Sequence, residues 1–288
     1  MSRRWAIGLG VLAAVGVCVA LILAAGLSPA DRSNREPIFG GIPLAVDSTG
    51  ALTTEGFVVL PSRTFVVGYD NARMDPLWVS YCVTAPVQSG SGRSRSWKTD
   101  ARTTARVSDD DFKYTEGDYD RGHMAPKAAM YRSYGQSAVD DTYTLTNACP
   151  QRHAFNDGVW GDLEDLVREE YSAALDEVWV ICGPVFDDSN GMAVLVKDRT
   201  HADLPQKPVE IPDAFYYMLV DLVDGSPRAL AFLIDHGEGY STGNIKTRLS
   251  TFLVSIDRLE QLTGLDFFWS LDDAVEDPLE SAPAPRMW

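Results

Sequence analysis

Asp118-Tyr119-Asp120-Arg121-Gly122-His123-Met124-Ala125-Pro126 is followed by Thr146-Asn147-Ala148-Cys149-Pro150-Gln151, then by Phe155-Asn156-Asp157-Gly158-Val159-Trp160 leading to Leu163-Glu164. These stretches hold the densest set of reactive side chains in the chain. One histidine lies close to an arginine and a carboxylate, and two amides and a glutamate surround the start of a helix. An imidazole titrating near neutrality can take a proton from water. Guanidinium groups match phosphate oxygens in a fork geometry. Amide and carboxylate oxygens suit a hard divalent cation such as magnesium. Upstream, Arg93-Ser94-Arg95-Ser96-Trp97-Lys98 adds three cations to the set. Phosphate-loop, HExxH, CxxC and GxSxG signatures are missing from the sequence, so P-loop hydrolases, zinc proteases and α/β-hydrolases lose support.

Outward from this stretch, several strands are legible from β-branched and apolar runs. They are Gly56–Leu60, Thr64–Gly68, Trp78–Thr84, Thr142–Thr146, Glu177–Cys182, Phe215–Val223 and Ala229–Asp235. Val159, Trp160, Leu163, Leu166 and Val167 recur at helical spacing, with acids on the other faces. A second helix runs from Ser255 to Thr263 and stops at Gly264. Runs of strands with helices inserted, without strict βαβ alternation, predict an α+β fold.

The chain has 288 residues, 45% apolar and 23% charged, which excludes a disordered or fibrous protein. Acids outnumber bases 41 to 25, a net charge of −16, which excludes a broad basic face coating nucleic acid. Between Arg93 and Arg132 nine bases meet seven acids, so the reactive stretch is close to balanced. From Asp257 to the end, eight acids stand against two arginines. Ala6 to Leu27 carries no charge and follows Arg3 and Arg4. A run of that length matches a membrane span, with the basic end in the cytoplasm. The organisation expected is a signal-anchor or signal peptide at 1–27, a linker at 28–38, a catalytic domain at 39–275 and a loosely packed acidic, proline-containing tail at 276–288. The domain is then membrane-anchored and extracytoplasmic, or secreted, with a mitochondrial intermembrane location as the weaker option. Cys82, Cys149 and Cys182 read as buried thiols, and a Cys149–Cys182 bridge is conceivable in an oxidising compartment.

Asp120-Arg121-Gly122-His123, followed by Asn147, Pro150-Gln151, Asn156, Trp160 and Glu164, resembles the DNA/RNA non-specific endonucleases, the family of endonuclease G. Arg95-Ser96-Trp97-Lys98, Cys182-Gly183-Pro184-Val185-Phe186, Ile211-Pro212-Asp213-Ala214-Phe215-Tyr216 and Leu262-Thr263-Gly264-Leu265-Asp266-Phe267-Phe268 resemble its other motifs. The resemblance covers about residues 39–275. It implies a ββα-metal (His-Me finger) fold with a central mixed or antiparallel sheet. It implies magnesium or manganese as cofactor and DNA and RNA backbones as substrates, cut to 5′-phosphate and 3′-hydroxyl ends. By position, His123 becomes the general base, with its ring held by a backbone carbonyl near Tyr143. Asn156 becomes the protein ligand of the metal, and Asn147 positions metal-bound water or phosphate. Glu164 holds a metal-bound water, while Arg95 and Arg121 bind phosphate and the developing charge. Arg93, Lys98, Asp120 and Arg152 are further candidates for substrate contact. Family members are often homodimers, so the resemblance allows one, although no residue pattern here signals an interface. Tyr217 departs from the family, which often has lysine there.

Two competing readings stand beside this one. The same site could serve a phosphodiesterase acting on small nucleotides or other phosphoesters, or the chain could be a catalytically silent binding protein tethered to a membrane.

Overall fold

A computed structural model describes residues 36–240 and 243–288. The strands are β1 (Leu44–Val46), β2 (Leu52–Thr53), β3 (Val58–Pro61), β4 (Phe65–Asp70), β5 (Asp75–Thr84), β6 (Tyr119–His123), β7 (Ala148–Arg152), β8 (Glu177–Val185), β9 (Ala214–Val223), β10 (Ser226–Asp235) and β11 (Leu265–Asp266). The helices are α1 (Asp109–Phe112), α2 (Lys127–Tyr134), α3 (Gln136–Thr142), the long helical run α4 (153–175), α5 (Ile245–Leu249), α6 (Ile256–Thr263) and α7 (Asp273–Glu280). This is an α+β architecture, as the pattern of elements predicts.

Six strands form one sheet in the order β10-β9-β8-β5-β4-β3, with every neighbouring pair antiparallel. Side chains alternate across a strand with period two, and here both sets are apolar. Val79, Tyr81 and Val83 of β5, Val178, Val180 and Cys182 of β8, and Phe215, Tyr217 and Leu219 of β9 pack on one face with Phe155, Trp160, Leu163 and Val167 of α4. Trp78 and Cys82, Trp179 and Ile181, and Tyr216, Met218 and Val220 fill the other face with Ile256, Leu259, Leu265, Phe267 and Phe268. Each fully buried large apolar side chain stabilises the fold by roughly 1.5–3 kcal/mol. Asp224-Gly225, at φ 51° and 81°, closes the β9–β10 hairpin, as a two-residue turn with left-handed backbone does.

On the first face lies a separate two-stranded ribbon, β6 paired antiparallel with β7, from which the chain passes directly into α4. Small helices α2 and α3 fill the connection between the two strands. A three-stranded sheet, β11-β1-β2, lies with the second core.

Some expectations need correcting. Thr142–Thr146 is not a strand. Thr142 ends α3, with its hydroxyl donating to the Val139 carbonyl, and Leu145–Asn147 form a single tight turn. The Thr144 hydroxyl likewise donates to the Asp141 carbonyl, so local side-chain bonds displace a ladder there. The acidic tail does not pack loosely: Asp273–Glu280 is helical, Glu280 is buried, and Trp288 lies under Arg228 (4.5 Å) and beside Tyr171 (5.5 Å). Cys82, Cys149 and Cys182 are all buried, and Cys149 and Cys182 are not bridged to each other. The apolar run 6–27 and most of the linker lie outside the described residues. Among the described residues no helix is long and apolar enough to cross a membrane. A span needs about 20 consecutive apolar residues, whereas the longest helical run, α4, carries seven charged side chains between Asp157 and Glu170.

Gly68 faces Trp78 across the β4–β5 pair, and a Cβ there would come within 2.2 Å of the indole. The indole is fully buried and has no room to retreat. Gly68→Ala is therefore expected to cost about 1–3 kcal/mol through overpacking, read as a lower midpoint in urea unfolding with an unchanged slope.

Candidate active site

The β6–β7 ribbon carries few apolar side chains of its own, and its register is held by special residues. Gly122 sits opposite Cys149, and Gln151 lies over it: a Cβ on Gly122 would come within 1.9 Å of Gln151 Oε1. Only glycine admits that close approach. After His123 the backbone is held by Asn147. Its Oδ1 accepts from the Ala125 N–H (2.9 Å), and its Nδ2 donates to the carbonyls of Ala125 and Thr142 (both 3.1 Å). Asn147 is fully buried with its amide committed to the main chain. The structure therefore places it under the site, fixing the turn behind His123.

His123 ends β6. Its ring lies against Trp97 (centroids 4.5 Å) and meets the edge of Tyr143 at 5.0 Å. The Tyr143 carbonyl, expected to hold the ring, accepts instead from the Lys98 N–H at 2.9 Å. His123 Nε2 is buried without a hydrogen-bond partner among the described residues. Burial, with the nearby charges of Lys127 and Arg121, pushes the imidazole down to about 3. It is a neutral base at ordinary pH.

Asn156 stands where β7 has passed into α4. The helical run kinks there, in the turn Asn156–Trp160, where Gly158 leaves helical geometry at φ −102°, ψ −115°. Gly158 lets the backbone of Gly239 and Tyr240 approach, since a Cβ would lie 2.8 Å from them. Asp120, three residues before His123, ties the ribbon to this turn. Its Oδ2 accepts from Asn156 Nδ2 and bonds His153 Nδ1, both at 2.9 Å. The Asp120 carboxylate raises the exposed His153 above its ordinary range. With its nitrogen donated to Asp120, Asn156 keeps its side-chain oxygen as an acceptor that no described residue uses.

Trp160 makes the second link. Its indole N–H donates to the His123 carbonyl (3.3 Å) and also reaches the Glu164 carboxylate. Glu164 is half-buried, and burial pushes its carboxyl up to about 8 against the lowering effect of Arg168. His123, Asn156, Asp120 and Glu164 are thus joined by bonds running between β6 and α4.

Of the predicted cations, Arg121 lies near enough to His123 to lower its proton affinity. The 93–98 segment comes to His123 through Trp97. Arg95 Nε donates to Asp140 at 2.7 Å, and Arg121 pairs with Asp109. Arg93 and Lys98 are exposed, and Arg152 lies over the Tyr119 ring at 5.3 Å. The residue pattern gave no role to Trp97, Trp160 or His153 in holding the site. Trp97 and Trp160 stood inside quoted motifs, but no spacing reveals which ring an indole will touch. Tyr217, the departure from the family pattern, is buried with its hydroxyl 2.8 Å from that of Tyr81.

The description of the DNA/RNA non-specific endonuclease family fits residues 45–274 of this chain. The chain belongs to that family. A nuclease of Serratia marcescens is 30% identical over 216 residues, covering 72% of this chain and 73% of that protein. The mitochondrial nuclease EXOG of Xenopus laevis is 27% identical over 252 residues, 83% of this chain and 67% of its own length. A chain in the crystal structure of the EndoG/EndoGI complex shares the fold at a TM-score of 0.61 and 23% identity, over 75% of this chain and 88% of that one. By family this chain is an enzyme, a DNA/RNA non-specific endonuclease. Its expected placement, anchored in a membrane or secreted, is corrected here. No spanning helix exists among the described residues, and the relatives include nucleases named as mitochondrial.

His236 is a structural histidine beside the site. Its Nε2 accepts from the Arg152 N–H (2.9 Å), so Nδ1 carries the proton and donates to the Pro212 carbonyl (2.7 Å). Burial lowers it to about 4. The unfolded chain then binds the extra proton between about pH 6.5 and 4, so His236 costs stability as pH falls through that window. The loss expected is at most about 3 kcal/mol. Urea unfolding of His236→Gln beside wild type across pH 4–7 should show a shallower acid-side loss in the variant.

Proposed function

We propose that this endonuclease hydrolyses DNA and RNA backbones without sequence preference, with His123 as general base and Asn156 as protein ligand of a magnesium or manganese ion. The observation that carries this reading is the bonded group Asp120–Asn156 beside a desolvated, neutral His123. The donor set fits a hard cation. Asn156 Oδ1 is left as an acceptor once Nδ2 is donated, and the Glu164 carboxyl is desolvated despite Arg168 nearby. A divalent ion bound there would neutralise phosphate charge and acidify the water that protonates the leaving oxygen.

The chain's own residues do the rest. His123 is the free base before substrate arrives and accepts a proton from the attacking water at a ring nitrogen. Before substrate arrives, protonation is disfavoured first by burial and further by Lys127 and Arg121. An incoming phosphate brings the negative charge that offsets them, so proton affinity rises when the substrate is in place. Asp140 and Asp109 hold the Arg95 and Arg121 guanidinium groups in place, which leaves their other N–H groups for phosphate oxygens. Asp120 fixes the orientation of Asn156 rather than meeting the polyanion. Asn147 positions the turn behind His123. Arg93, Lys98 and Arg152 add backbone contacts, which carry no sequence information.

The test is cleavage of plasmid DNA and of RNA by the full chain, with magnesium or with chelator. His123→Ala is expected to lose about 10²–10⁴-fold in rate, and Asn156→Ala to lose its response to magnesium. A wild type that cuts neither polymer with any divalent ion overturns the reading. The acid limb of kcat/KM is expected well below the 6.5 of an ordinary imidazole, measured on a short oligonucleotide at constant ionic strength.

A further inference from the structure

Five carboxylates converge on the face of the sheet opposite the ribbon. Asp257 and Glu260 lie three residues apart on α6, Glu276 and Glu280 four apart on α7, and Asp266 follows from β11. Residues at those spacings share a helix face. Asp257, Glu260 and Glu280 each offer an oxygen, all within 4.8 Å of one another. Two oxygens each about 2.4 Å from one calcium ion can be that far apart. Glu280 is only 7% exposed, and its Oε1 is buried with no hydrogen-bond partner among the described residues. Glu260 uses one oxygen to accept from the Phe267 N–H at 2.8 Å. Among the described residues no lysine or arginine pairs with any of the five.

An unpaired buried carboxylate is costly, and like charges this close add to the cost. Burial, with the neighbouring carboxylates, raises Glu280 to about 9 and Glu260 to about 8. Such a group can be relieved by a cation or by keeping protons. Three carboxylates from two helices match calcium, which takes six to eight oxygens, better than magnesium, which keeps its waters and uses one or two carboxylates.

We propose that Asp257, Glu260 and Glu280 bind a structural calcium ion that clamps α7 onto α6, separate from the candidate catalytic site. Asp266 and Glu276 add negative charge around it. The ion replaces the protons otherwise needed to let these side chains meet.

Chelator-stripped full chain carrying Asn156→Ala, to silence the candidate catalytic site, would be titrated with calcium by calorimetry and by thermal unfolding. Calcium is expected to raise its Tm and to bind at one site. Adding Glu280→Gln, or the half-exposed Asp257→Asn, should weaken calcium binding by about tenfold or more and remove the Tm response. Without calcium, Glu280→Gln should be at least as stable as its parent, because it deletes an orphan carboxylate, so its lost response is not unfolding. In the otherwise wild-type chain Glu280→Gln should leave magnesium-supported cleavage within about twofold. A Tm indifferent to calcium, or variants that respond as fully as their parent, overturns the proposal and leaves a cluster of protonated acids.

Discussion

Both faces of the six-stranded sheet are apolar, so each must be covered, and the candidate site is a product of covering one of them. Tyr81, Cys182 and Tyr217 on that face need partners, and α4 supplies Phe155, Trp160 and Leu163. Seating α4 there brings its opening turn against the β6–β7 ribbon. The ribbon has too little apolar surface to stand alone. It depends on Met124 and Cys149, which enter the same core, and on the Asn147 amide that holds its exit.

Polar groups at this junction are joined rather than scattered. Asp120 satisfies Asn156 and His153 together, and one indole N–H serves both His123 and Glu164. The same burial that anchors α4 also desolvates His123 and Glu164, moving the imidazole down and the carboxyl up. Low dielectric favours the uncharged form of each. Packing and electrostatics therefore share a cause: the His123 imidazole, set against Trp97 and Tyr143, is held neutral first by burial.

A net charge of −16 looks ill suited to a polyanion, but its distribution answers the difficulty. Five of the eight acids after residue 256 gather on the far face of the sheet. Charges separated by more than about 8 Å through solvent at physiological salt are largely screened. Around His123 the near field comes from Lys127 and Arg121.

The sequence alone marked the candidate set and the family, because motif residues need only order and spacing to be recognised. Asp120 to His123, Asn156 and Glu164 were legible that way, as were the long strands and the α6 helix with Ser255 and Gly264 at its ends. Local chemistry misled at Thr142–Thr146, where β-branched residues spend their hydroxyls on the preceding helix. Tertiary structure alone decided that Asp120 serves Asn156 and His153, that Asn147 turns inward, and that the acids of α6 and α7 meet. Hydrogen-bond partners of charged and amide side chains depend on which surfaces come together. Those surfaces are chosen by the apolar faces of distant elements, and no local pattern of polar residues encodes them.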